Sequence, residues 1–348
     1  MTTTPVRPEA EVALAPSAAE RRATARRWRV VLVLSVLLLA GAAVLTLAGI
    51  RGDLAFVLEL RGRRLAALVV AGVAVGVSTV LFQTVTANRI LTPGIMGFDN
   101  LYVLVQTVAV AYLGATAVVT ADVRVRFAVE VVVLMGFALL LHALVMRRAA
   151  GRGDVLVLVL VGVVLGSMFT SATLLASRVI DPNDALTLQD LLFASFGSPD
   201  RQLLPVAAAV VAAGTVLALR RAAVLDVIAL GREPAVGLGV DHAREMRRAF
   251  LLVAVLVAVS TALVGPLTFL GLLAANVARE LLATHRHRWT LPTACLVAVL
   301  ALVLAQLVLE RLLGWGTAVA VVIDVVGGLY LLLLLVRQGR PTSRGTLL

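Results

Sequence analysis

Nine apolar runs follow one another along this chain: Val30–Ile50, Leu65–Asn88, Asn100–Ala121, Val131–Met146, Val155–Ser177, Gln202–Leu219, Ala249–Ala278, Trp289–Leu309 and Leu312–Val336, uncharged except for one Asp in the last. A helix needs about 20 such residues to cross the hydrocarbon core of a bilayer. The runs do not alternate polar with apolar, so they are not barrel strands. Only 15% of the residues are charged and 61% are hydrophobic, against roughly 25% and 45–50% in soluble domains. The expected fold class is therefore an all-α integral membrane protein.

The run Ala249–Ala278 would be roughly 45 Å long as one helix, too long for a single crossing, and Gly265-Pro266 interrupts it. Arg244, Arg247 and Arg248 precede it and Arg279, Arg286 and Arg288 follow it. Arginine marks the cytoplasmic side, so the run is expected to cross and return. That gives about ten transmembrane helices with both termini cytoplasmic. A tail at 1–28 and another at 338–348 then flank one transmembrane domain, 29–337, which carries a cytoplasmic loop at about 222–246. The first run is longer than a signal peptide's apolar core and lacks a clean cleavage site, so it reads as a retained helix. All 31 basic residues are arginines, and the net charge of +11 reads as topology rather than as a nucleic-acid surface. Most of them fall on cytoplasmic segments. The exception is an external cluster, Arg51, Arg61, Arg63 and Arg64.

Several chemistries are excluded. Without lysine the chain has no phosphate-binding loop for ATP. A single cysteine, Cys295, and four histidines without ligand spacing offer no metal centre, and no nucleophile or carboxylate pair is evident. The chain is expected to be neither an enzyme nor a cofactor protein. Gly72-xxx-Gly76 and Gly162-xxx-Gly166 read as close-packing faces between helices. Glu130 lies near the external end of its run and should be in water. Asp324 lies deeper, where it could cap a helix start or carry a proton.

The polar string Thr86–Asn100, TANRILTPGIMGFDN, separates two apolar runs at the cytoplasmic side, with Pro93-Gly94 placed to begin the returning helix. With its flanks it resembles the signature of the FecCD-type permeases, the membrane subunits of binding-protein-dependent ABC importers for ferric siderophores, haem and cobalamin. Gln83, Asn88, Pro93, Gly94 and Gly97 fall in register, while Arg89 and Phe98-Asp99-Asn100 depart from the common form. That variant resembles one of the two non-identical permeases for catecholate-type siderophores. LGREPAVGLGVDHAREMRR (Leu230–Arg248) is similar to the family's cytoplasmic loop through Leu230, Gly231, Glu233, Ala235, Leu238, Gly239 and Val240. GPLTFLGLLAANVAREL (Gly265–Leu281) resembles a third block, with Ala275-Asn276 in place of a Pro-His pair. LRGRRL (Leu60–Leu65) resembles a Leu-Arg-x-Pro-Arg segment, with Arg61 and Arg64 in register.

The resemblance implies a multi-pass permease of a bacterial plasma (inner) membrane for ferric siderophore uptake. It implies cytoplasmic ATP-binding subunits coupled through Leu230–Val240 by short helices, and an extracytoplasmic substrate-binding protein docked on Arg61 and Arg64. A second, non-identical permease completes the set, and nucleic acid is not a partner. The signature residues would shape the cytoplasmic end of the pathway. Two readings from the residues alone stay open beside it: an ion-driven secondary transporter with Asp324 as carrier group, and a non-transporting membrane scaffold.

Overall fold

A computed structural model describes residues 18–49, 53–146, 155–194, 196–197, 200–314 and 317–338. The expected tails at 1–17 and 339–348, and Arg51, Arg147, Arg148 and Arg152 of the charge argument, lie outside the described residues. Among the described residues all regular structure is helical. The long helices are α1 (Ala18–Leu47), α2 (Leu54–Val85), α3 (Phe98–Leu113), then a short α4 (Ala115–Thr120), α5 (Val123–Met146), α6 (Val155–Ser177), α7 (Pro182–Leu192) and α8 (Leu203–Arg220). Two short helices follow, α9 (Ala222–Ile228) and α10 (Arg232–Gly237), and then α11 (His242–Val264), α12 (Leu270–Leu282), α13 (His287–Arg311) and α14 (Val319–Gln338). Seven of these, α1, α2, α5, α6, α8, α11 and α13, contain a stretch long and apolar enough to cross a membrane, and α3 and α14 contain shorter apolar stretches.

Helix α2 is the axis of the bundle, packed against α13, α11, α12, α8 and α1. From Leu65 to Val77 it is apolar all round, as a helix surrounded by others should be. Between apolar helices in lipid there is little hydrophobic drive, so association depends on close backbone contact. Gly72 and Gly76 provide it. A Cβ on Gly72 would stand 2.8 Å from Val299 Cγ2, and one on Gly76 3.1 Å from the Ala294 carbonyl, so α13 lies directly on that glycine face.

Aspartates start many of the helices. Asp53 accepts the Ala55 N–H at 2.9 Å to open α2, Asp181 that of Asn183 to open α7, Asp200 those of Gln202 and Leu203 at α8, and Asp241 that of Arg244 at α11. A side-chain acceptor there satisfies a donor that the helix cannot.

The element boundaries correct two expectations, the extent of the N-terminal tail and the single run Asn100–Ala121, and place the segments between the runs. The segment 18–28 is the beginning of α1 rather than tail. Helix α2 starts at Leu54, so Arg61, Arg63 and Arg64 are on the helix and not in a loop. The run Asn100–Ala121 divides at Gly114 (φ 82°) into α3 and α4. The segment before α8 contains α7, a helix begun by Asp181-Pro182. The division of Ala249–Ala278 is seen: α11 ends at Val264, Gly265 takes φ 95°, and α12 begins at Leu270.

Candidate functional site

The polar string folds back into the bundle. Thr86 and Ala87 close α2, the Asn88 carboxamide oxygen accepts the Ile90 N–H at 2.9 Å, and Pro93–Met96 form one 3-10 turn before Gly97 and α3. Proline suits the first turn because the missing N–H would be unsatisfied there. Gly97 has φ 92°, and a Cβ on it would meet Gly166 Cα at 3.0 Å and Gly162 O at 3.1 Å. The second glycine pair thus seats this turn against the interior of α6. Pro93, Gly94 and Asp99 share a small cleft with Ser78 and Thr79 of α2, Ser260 and Thr261 of α11, and Gly271 of α12. Its Pro-Gly corner thus packs among the helices of the bundle.

A hydrogen-bonded block fastens the base of that loop. Gln83 donates to the Arg89 carbonyl at 2.8 Å and accepts from Arg279 at 2.5 Å, and Asn276 donates to the same carbonyl at 3.1 Å. Gln83 and Asn88 of the expected set are therefore structural members of the site. Arg279 and Asn276 of α12 join them.

Beside this block lies a chain of side chains that sequence reasoning missed. Asp226 of α9 accepts from the His287 backbone N–H at 2.7 Å and meets its Nδ1 at 2.6 Å, while His287 Nε2 meets Thr84 Oγ1 at 2.7 Å. His287 is 4% exposed. The chain links α9, the first turn of α13 and the last turn of α2. Its three members are distant in sequence and on different elements, so no local spacing announces them.

Leu230–Val240 forms the protruding part of this end. Gly231 (φ 101°) opens α10, Ala235 is its one buried residue, and Gly239 (φ 78°) turns the chain so that the Val240 N–H returns to the Ala235 carbonyl at 2.9 Å. Leu230, Val236 and Leu238 are exposed.

At the opposite end, Arg61 and Arg64 are brought together but turned inward. Arg61 Nη1 donates to the carbonyls of Thr46 at 3.1 Å and Ala48 at 2.8 Å, closing the C-terminus of α1. Arg64 is 8% exposed. Its Nη1 pairs with Glu310 at 2.7 Å, Nε donates to Phe196 O at 3.2 Å and Nη2 to Gly197 O at 3.1 Å. Three of its N–H groups are thus engaged within the chain. The outward charge is on Arg201, whose side chain is 79% exposed, with Arg63 and Glu59 beside it.

The intramembrane acids are also placed. Glu130 is buried, not in water, and accepts from Gln106 at 2.7 Å, with Arg126 at 3.7 Å. Asp324 is inside α14 rather than at its start. Its carboxylate lies near Phe269, at the start of α12, and that of Asp99 near Thr268. Asp324 Oδ1 is buried with no hydrogen-bond partner among the described residues.

The sequence profile of the FecCD transport family matches residues 30–337. The petrobactin import system permease protein YclO of Bacillus subtilis (strain 168) is 38% identical over 289 residues, covering 83% of this chain and 91% of the relative. The petrobactin import system permease protein FatC of Bacillus anthracis is 30% identical over 272 residues, 78% of this chain and 76% of the relative. The ferric enterobactin transport system permease protein FepD of Escherichia coli (strain K12) is 29% identical over 296 residues, 83% and 84% of the two chains. A solved structure described as an inward-facing conformation of a metal-chelate type ABC transporter superposes with a TM-score of 0.77 at 19% identity, over 89% of this chain and 99% of that one. It has the same fold.

Proposed function

The chain belongs to the FecCD transport family, and on that premise we propose that it is one permease subunit of an ABC importer that admits a ferric siderophore across a bacterial plasma membrane. The observation that carries the reading is the similarity to two permeases named for petrobactin import, over 91% and 76% of their lengths, together with a helical bundle into which the signature stretch folds.

In this reading ten segments, α1, α2, α3, α5, α6, α8 and α11–α14, cross the membrane, and both termini are cytoplasmic. The α9–α10 end faces two separate ATP-binding subunits, and the exposed Leu230, Val236 and Leu238 enter their surface. A second, non-identical permease completes the pathway. At the external end a binding protein docks on the arginine-rich rim. Arg64 holds α2, α13 and Phe196–Gly197 as a firm platform there, Arg61 fastens α1 to α2, and Arg63 and Arg201 attract acidic groups.

ATP-driven closure of the ATPases would move α10 with α9. Asp226, His287 and Thr84 would pass that displacement to α13 and α2, and so to the loop held by Gln83 and Arg279. No bond of the substrate is made or broken by this chain. Purifying the tagged protein from its native membrane and identifying the co-purified subunits by mass spectrometry tests the reading. An ATPase and a second permease are expected, and ATP-dependent uptake of a ferric siderophore should require both. Uptake by the purified chain alone, driven by a proton gradient, would overturn it in favour of an ion-driven carrier.

A further inference from the structure

A groove of about 360 Å³ opens between α2, α8, α9 and α11 near the C-terminus of α8. Its lining is apolar: Leu81 and Leu225 are buried in its floor, and Leu217, 50% exposed, forms part of its rim with Leu252 and Val255. Its mouth is different. Arg221 and Arg248 both donate to the same oxygen of Glu245, Arg221 at 2.8 Å. The arginine side chains are 41% and 43% exposed and the glutamate 11%, so the acid sits behind and the two cations face outward. Each guanidinium carries five N–H donors. One shared carboxylate oxygen satisfies few of them and leaves the trio with a net positive charge.

We propose that this groove binds an anionic phospholipid, with the phosphate between Arg221 and Arg248 and one acyl chain along Leu217, Leu252 and Val255. An apolar trough by itself would accept any lipid tail, and an arginine pair by itself any phosphate. The two joined end to end fit a single amphiphile with an anionic head. The position agrees. Arg221 caps the last turn of α8, a helix long and apolar enough to cross a membrane, so the guanidiniums stand at headgroup depth and the leucines at acyl depth. Arginine forks suit phosphate oxygens in pairs, and basic pockets between transmembrane helices are suited to anionic headgroups. The chain would press on Leu225 of α9, adjacent to Asp226, and so brace against α2 the element that leads into α10. That this headgroup lies in the cytoplasmic leaflet rests on the proposed orientation.

Native mass spectrometry of the full chain in detergent, titrated with phosphatidylglycerol or phosphatidylcholine, tests this. One phosphatidylglycerol should survive activation that strips phosphatidylcholine. Arg221→Gln with Arg248→Gln should lower its retention roughly tenfold or more, the effect expected of removing two cations at a headgroup. Arg220→Gln with Arg247→Gln should leave it unchanged. Leu217→Trp, at a half-exposed position that tolerates bulk, should fill the groove and release the lipid while both arginines remain. Equal losses from the two arginine pairs would show a diffuse basic collar and overturn the site. Full retention by Leu217→Trp, displaced by glycerophosphate alone, would show an anion site without a lipid and overturn it as well. Should the Arg221/Arg248 variant fail to fold, the Leu217→Trp result decides.

Discussion

Arg64 joins Glu310, Phe196 and Gly197, so its removal would leave Glu310 beside Gln306 in a buried setting without its cation. Breaking a buried pair from one side costs about 3–5 kcal/mol. Arg64→Ala should therefore lower the thermal unfolding midpoint in detergent strongly, and adding Glu310→Gln should restore much of the loss. Arg201→Ala, at an exposed pair, should change it little, by about 0–1 kcal/mol. The motif was legible in the sequence because Arg61 and Arg64 are an external cluster in a chain whose arginines otherwise favour the other side. What they touch was not legible. Glu310 is 246 positions away from Arg64, and nothing in the local pattern distinguishes an arginine that faces a partner from one that ties helix ends together.

At the level of elements, acids mark helix starts. Asp53, Asp181, Asp200 and Asp241 cap helices that begin just after them, and Asp184 accepts the Ala115 N–H at 3.1 Å across to α4. Asp226 also serves a helix start, that of α13, but from another element. Local caps can be read from sequence, whereas caps given across space need the fold. The apolar runs located the long helices, and glycine with φ above zero explains the break after Val264, because a chain without Cβ can leave a helix in that direction. The α9–α13–α2 chain makes a separate prediction. His287→Leu should leave assembly with the ATPase intact and reduce uptake per ATP hydrolysed, by an amount equivalent to ~0.5–2 kcal/mol of coupling. Thr84→Val should act in the same direction, and reconstituted uptake and hydrolysis measured together read both. Gly239→Trp falls in the turn that follows α10. A bulky residue is strained at φ 78°, so α10 should lose its seat, and hydrolysis should continue with uptake largely lost.

At the scale of the whole molecule the bundle has two unlike ends. One presents exposed aliphatic residues on short helices, and the other presents Arg201 and Arg63 around Glu59. For a transporter driven from one side and loaded from the other, that asymmetry separates docking from coupling. Arg63→Glu with Arg201→Glu should slow association of the binding protein and flatten its salt dependence, since rim charges act mainly on encounter, while the ATPase complex stays assembled. Surface binding measured at two ionic strengths reads this. Asp324 decides between the two transport classes. Were it the carrier group of an ion-driven cycle, its charge would have to be reached by water and exchanged in every turnover, and Asp324→Asn would abolish uptake. In the structure Asp324 Oδ1 is buried and has no hydrogen-bond partner among the described residues, so a neutral amide suits the site at least as well as a charged carboxylate. Asp324→Asn should therefore retain most ATP-dependent uptake in proteoliposomes. Complete loss of uptake, with the protein folded and the ATPase bound, would place a proton or cation in the cycle and overturn the ATP-only reading.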